Sequence, residues 1–546
     1  MGFSLSGRSL VARSVARLVV LSALGLTLAS CGGGHSELWG RKGEAWDPKG
    51  RLPDFSYAGY HQGEDPIPEV PVTATVKDFG AVGDGETDDS QAFIDAIAAV
   101  ESGAILIPAG RYVITKPLFI RRSNVVLRGE SRDSTVLFFP LSLRSALGRG
   151  KDGGPSGYSW GGAWIWINAN RSTGDSNGPV WEDGELLSEL TAEAERGDTW
   201  VEVADASRIR PGQLVRLVQQ ESEDGTLAHA MHAGIHLKRR CMVSRPNHQI
   251  VNWVVRVKAV EGNRVDFGRP LRTPAGPKWQ ARLMEAIPPV EEVGIEHLTI
   301  EFAPVNYAGH HNEPGRNGIS FGSAFNSWVS DVAIVNSDNG IFFWYARYCT
   351  AQDIVIGGRG SHYATNMGGA QDSLLTRFVL ENSSVHDTSN ANLGNGNVTS
   401  WGRGQQINFD HHRSAAHENL YSQIDVGGVT RMWRSSVTHS GHYTGAYETF
   451  WNIQPAVTTE NFRSWPAMNI ISPAIVMSPR ATPEWYGLWM EQIDGLEPLD
   501  LHAAQLARRL GTAIPGRATL PPPLPPGVGG DFEGLGPREA LGPGEK

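Results

Sequence analysis

Two adjoining stretches, NGISFGSAFNSWVSDVAIVNSD and NGIFFWYARYCTAQDIVIGGRG, are variants of one 22-residue unit. Gly318 and Gly340, Asp331 and Asp353, and Ile334 and Ile356 all stand 22 positions apart. A period in the low twenties, with short strands and no helix, describes a solenoid whose coils stack like rungs. The pairs Ile319/Ile341, Val332/Ile354 and Ile334/Ile356 would then form inward apolar ladders. Side chains alternate along each strand, and neighbouring strands lie about 4.8 Å apart, so polar residues distant in sequence meet on one outer face. Further strands read at SLLTRFVLEN, GQQINFDHH, NLYSQIDV, GVTRMWRSS and ETFWNIQ.

Upstream lies VKDFGAVGDGETDDSQAFIDAIAAVESGAILIPAGRYVI. It reads as a strand, a Gly/Asp turn, and a helix capped at Asp88 or Asp89 with Ala92, Phe93, Ala96 and Ile97 on one face. Two strands around Pro108-Ala109-Gly110 follow. Through Asp78, Phe79, Gly80, Ala81, Gly83, Asp84, Gly85, Thr87, Asp88 and Asp89 this segment resembles the N-terminal cap of the pectate-lyase-like superfamily. The resemblance implies an all-β chain, a right-handed parallel β-helix with an N-terminal capping helix. It also implies that the Gly-Asp-Gly turn is structural, and it leaves the reaction open.

The expected organisation is a lipoprotein signal peptide at 1–30, a tether at 31–71, the cap and first coils at 72–185, and an inserted β-barrel-like domain at 186–275. The β-helix resumes over 276–485, and a C-terminal segment with a Pro/Gly-rich tail fills 486–546. The insertion is read from LTAEAERGDTWVEVADASRIRPGQLVRLV and WVVRVKAVEGNRVDFGRPL, whose turns at Pro211-Gly212 and Gly262-Asn263 suit antiparallel strands.

The first thirty residues carry Arg8, Arg13 and Arg17 before a short apolar run, then Leu28-Ala29-Ser30-Cys31. That pattern resembles a bacterial lipoprotein signal, in which Cys31 would be acylated and the protein held at the cell envelope; an ordinary signal peptide is the alternative. Removing residues 1–30 takes away three Arg and no acid, moving the formal charge from −10 to −13. Such a balance disfavours nucleic acid, and a polyanionic sugar would need a local basic cleft. Cys241 and Cys349 could pair but cannot build a cysteine framework. Seventeen Trp add weight to carbohydrate as the partner.

Ionisable residues crowd into coils 310–450. In INFDHHR, which leads into SAAHENL, a strand would turn Ile407, Phe409 and His411 one way and Asp410 and His412 the other, pairing an acid with an imidazole. Arg431 and Arg434 are expected on one strand face, with Asp338, Asp372 and Tyr443 completing the catalytic set. Arg403, His386, His442, Trp401 and Trp433 are expected to bind substrate, and His310 and His311 lie in a loop within reach of the groove. No metal ligand set is assigned; calcium is the one cofactor left open. Asn336-Ser337-Asp338 is similar to an element of the polygalacturonase branch, but its paired acids appear only as Gln371-Asp372. The expected function is therefore cleavage of an extended polysaccharide, with β-elimination at uronates ahead of hydrolysis by paired carboxylates. A non-catalytic glycan-binding or surface-structural β-helix is the remaining alternative.

Overall fold

The computed structural model describes residues 34–515, apart from 152, 168–183, 236–242, 244, 413, 430, 435–441, 459–464 and 477–486. The signal peptide, Cys31, Cys241, His439 and the Pro/Gly tail thus lie outside the described residues.

The body is the expected right-handed parallel β-helix. One long parallel sheet runs from Val72–Thr75 through Trp328–Val335 and Thr350–Gly357 to Trp489–Gln492. A second sheet of eight strands includes Asn317–Phe321, Asn339–Phe342, Ser361–Gly368, Ser384–Ala391, Phe409–His411 and Trp433–Arg434. The third side is a row of single parallel bridges, Glu291–Phe325–Arg347–Gln371–Asn395–His417. Between them Ile300, Ile334, Ile356 and Leu380 stand in register and buried. Each such side chain contributes about 1.5–3 kcal/mol when fully buried.

The repeated Asp has its own cause. Asp331 and Asp353 occupy left-handed backbone at φ 53° and 58°, as do Arg377, Trp401 and Gln423 one coil further each time. The long sheet turns a corner at this position in successive coils. Asp tolerates the conformation better than most L-residues, which suits the two coils that carry it, while the next three hold the same turn with Arg, Trp and Gln.

The capping helix, Ser90–Ala99, buries Ala92, Phe93, Ala96 and Ile97 as read. Asp84 accepts from the amides of Glu86 and Thr87 at 2.9 and 2.8 Å, closing a local turn.

The inserted domain is two antiparallel sheets over a core of its own. Its four-stranded sheet ends with Arg282–Glu285, so the domain runs past 275 before the solenoid resumes at Gly294. Arg269 and Arg272 both reach Asp372 at 3.0 and 2.8 Å, while Arg196 and Arg272 reach Glu418 at 2.6 and 3.0 Å. These buried pairs clamp the insertion to the bridge side of the solenoid.

The stretch read as a tether is, from residue 34, a packed strap. Trp39, Leu52, Phe55 and Ala58 are buried against Val398, Leu420, Trp451 and Ile471 of the long sheet and against the C-terminal helix Leu501–Leu510. Gln505 ties strap to helix, accepting from Phe55 N at 2.8 Å and donating to Pro53 O at 2.9 Å. Flexible-linker composition was outweighed by four buried apolar residues, three of them large, which cover a sheet face that would otherwise be wet.

Candidate functional site

The eight-stranded sheet supplies the site. Register sets Ser389, Asp410 and Arg434 side by side on three successive coils, and pairs Tyr363 with His386. Ile407, Phe409 and His411 turn inward and are fully buried. His411 there meets Glu448 and Tyr421, within a buried polar network.

Asp410 is fully buried yet sits at the centre of the outward cluster. It accepts from Nδ1 of His412, lies 3.1 Å from Nδ1 of His386, and takes a bond from Ser389 Oγ at 2.8 Å. Burial alone would raise its carboxyl; His386 and His412 outweigh that and hold it well below the usual carboxylate range. With Nδ1 of His412 committed to Asp410, its Nε2 accepts from the Tyr363 hydroxyl at 3.1 Å. Asp410, His412 and Tyr363 form a chain, and His412 is its open end, with 26% of its side chain exposed. Burial, then the charges of Asp410 and Glu313, push the Tyr363 phenol well above its ordinary value.

The loop before Asn317 folds over this row. His310 lies with its ring 4.7 Å from His362 and 5.5 Å from His386, and His386 is 4.7 Å from His412. Glu313, fully buried, accepts from Tyr307 at 2.6 Å and faces His362 Nδ1 at 3.2 Å. Trp160, 41% exposed, meets His311 edge-on at 5.5 Å. Two groups have metal-ligand spacing: His310–His362–His386 and His386–Asp410–His412. Their donors are mostly imidazole nitrogens, which do not suit calcium, a hard ion that takes six to eight oxygens.

Of the residues anticipated from sequence, the fold brings together Asp410, His412, His386 and Arg434. The others are elsewhere. Asp372 is sealed between Arg269 and Arg272 under the insertion. Asp338 is fully buried, paired with Arg359 and accepting from the amides of Gly315 and Arg316 at 3.0 and 2.7 Å, so it anchors the histidine-bearing loop. Arg431 is exposed and precedes the short strand Trp433–Arg434. Three positions separate it from Arg434 and it lies outside that strand, so the two do not share a strand face. Arg403 and Trp401 belong to the long sheet, where Trp401 donates to Asp500 at the C-terminal helix. Trp433 is buried against Phe409 and Phe450. Tyr443 packs on the buried Trp465, and His442 faces His232 of the insertion. Cys349 is buried, which pushes its thiol up to about 12.

Tyr363, His362 and Glu313 were not anticipated. The signal was present: coils of 22–24 residues place SHYATNMGG directly beside SSVHDTSNA, stacking Tyr363 on His386 at 4.9 Å.

Comparison with known proteins agrees with the architecture. Residues 73–149 match the family described as rhamnogalacturonase A/epimerase, pectate lyase-like. The pre-neck appendage protein of Bacillus phage B103 is 33% identical over 134 residues, 24% of this chain and 13% of that protein. A glucan 1,3-beta-glucosidase of Cochliobolus carbonum is 35% identical over 91 residues, 14% of this chain and 11% of that protein. The chain therefore spans only a small part of these curated relatives. Among solved structures, the Pseudomonas phage phi297 tailspike gp61 aligns at TM-score 0.38 and 13% identity, covering 74% of this chain and 66% of that one. The Azotobacter vinelandii mannuronan C-5 epimerase AlgE6 A-module aligns at 0.33 and 12%, covering 78% and 91%. The family match is confined to the cap and first coils, and the stacked coils beyond it form a right-handed parallel β-helix.

Proposed function

We propose that this chain is a carbohydrate-active enzyme that cleaves a uronate-containing polysaccharide by β-elimination in the groove over the eight-stranded sheet. The observation that carries the reading is the chain Asp410–His412–Tyr363 beside Arg434. A uronate carboxylate set against Arg434 has its charge neutralised, which acidifies the neighbouring C5 proton. Nε2 of His412 takes that proton, and the electron pair becomes the C4=C5 bond as C4–O4 breaks. The Tyr363 hydroxyl gives its proton to O4. The proton on His412 then passes back to the Tyr363 oxygen along their 3.1 Å hydrogen bond, restoring both groups.

Hydrolysis requires two carboxylates flanking the glycosidic oxygen. Asp338 and Asp372 are both fully buried in arginine pairs, and Asp410 is held by three partners. That favours elimination. The exposed Trp160 offers a face for a sugar ring. A relative named as a glucosidase and a family described as rhamnogalacturonase and epimerase agree with a saccharide substrate. We also propose, from Leu28-Ala29-Ser30-Cys31 alone, that the protein is anchored in the cell envelope by acylation of Cys31.

The test is incubation with a panel of uronate and neutral polysaccharides. Ultraviolet absorbance from the unsaturated uronate supports elimination. New reducing ends without that absorbance overturn it in favour of hydrolysis. Deuterium uptake at C5 in heavy water without chain cleavage overturns it in favour of epimerisation, and silence across the panel leaves a glycan binder.

A further inference from the structure

We infer that His310, His362 and His386 form a site for one divalent transition-metal ion of the zinc class, in the floor of the groove. One ring nitrogen of each lies within 4.8 Å of those of the other two. His362 is fully buried and His386 is 6% exposed. The Nε2 atoms of all three histidines have no hydrogen-bond partner. A buried polar atom left unpaired costs about 1–3 kcal/mol, and unpaired nitrogens on three clustered rings call for an occupant.

The opposite edges of two rings point to which occupant. Nδ1 of His362 faces Glu313 at 3.2 Å, and Nδ1 of His386 faces Asp410 at 3.1 Å. Both are charge contacts without hydrogen-bond geometry, and a carboxylate on that side of the ring favours Nε2 as the ligand atom, as around metal-bound imidazole. Three neutral nitrogens suit zinc, copper or nickel and suit calcium or magnesium poorly. Three protein ligands also leave a fourth position open for water or substrate. Arg434 and the neighbouring His311 and His412 oppose a cation here, and the Asp410 carboxylate beside His386 offsets them. The group His386–Asp410–His412 is the weaker site, because Asp410 and His412 already bond each other and Tyr363.

If the elimination reading holds, on which this part rests, the ion is a second neutraliser of the uronate carboxylate beside His412. Binding is measured without substrate, so failure of that reading and failure of the site are separate results. The chelator-treated full chain is titrated with zinc by calorimetry, and with cobalt(II) by visible absorption. One tight equivalent is expected, with the intense bands of a tetrahedral cobalt site. His362→Ala and His386→Ala should each abolish it. Glu313→Gln should weaken it about 10–100-fold with the fold retained, and the exposed His248→Ala should leave it unchanged. No binding means water satisfies the three nitrogens and overturns the proposal. Undiminished binding in His362→Ala and His386→Ala overturns it equally, by placing the ion elsewhere. Metal binding that leaves turnover on an accepted uronate unchanged keeps the site and overturns its part in the chemistry.

Discussion

If Tyr363 and His412 act as one proton relay, removing either should cost nearly as much as removing both. His412→Ala takes away the group that receives the C5 proton. General-base catalysis is typically worth about 10²–10⁴ in rate, roughly 3–5.5 kcal/mol, so kcat/KM should fall by that factor. The structural cost is smaller and can be located. His412 is partly exposed, and Asp410 keeps Ser389 and His386 as partners. Only the Tyr363 hydroxyl, on a residue 3% exposed, loses its acceptor, at about 1–3 kcal/mol. Tyr363→Phe removes that hydroxyl and should restore most of the stability lost in His412→Ala.

The informative measurement is the double-mutant cycle, read as initial rates of unsaturated product and as urea midpoints. The double variant should lose no more activity than the worse single variant. It should also be more stable than His412→Ala alone. Losses in rate that multiply would mean the two residues act independently and would refute the relay. A folded, fully active His412→Ala would remove the residue from the mechanism altogether.

Asp372→Ala leaves Arg269 and Arg272 buried without the acid they share, so urea denaturation should register a loss of about 3–5 kcal/mol. Turnover per folded molecule should be unchanged, whereas a hydrolase using Asp372 would be inactive. His232 in the insertion is held down to about 3, first by burial and then by His442, His417 and His229, against the bond it makes to Ala228 O. Because the unfolded chain binds the proton more readily, stability is present above pH 6.5 and falls as the pH drops toward the folded value. The loss should reach about 2 kcal/mol at pH 5. His232→Gln should flatten that part of the stability profile, and an unchanged slope would clear His232. Cys31→Ser should move the exported protein from the membrane fraction to the soluble one and abolish labelling by a fatty-acid probe; membrane retention would count against the lipid anchor.

The solenoid was legible because it is periodic. Matched apolar residues 22 apart specify which side chains stack, whatever the details of each coil. Alternation also gave the right division of 407–412: Phe409 and His411 inside, Asp410 and His412 together on the other face. The strap was misread because composition reports average polarity. Four anchors, Trp39, Leu52, Phe55 and Ala58, decide its packing. Of the seventeen Trp, Trp39, Trp164, Trp328, Trp451 and Trp465 are interior and speak to packing, whereas Trp160 is exposed.

The failures among the acids have a common physical origin. Period-two alternation tells which face a residue takes, and it says nothing about what covers that face. Asp372 points out of the solenoid as well as any groove residue would, but the inserted domain brings Arg269 and Arg272 onto it from a hundred residues away. Asp338 is covered by the loop at Gly315 and by Arg359. Asp410 is covered too, by histidines and not by arginines. An arginine keeps its proton under any conditions the fold survives, so Asp338 and Asp372 are held as fixed counter-ions. An imidazole can gain or lose a proton near neutral pH, so Asp410 steers a partner that can still react. The cation facing each buried carboxylate, more than its own exposure, is what separates anchor from mechanism in this groove.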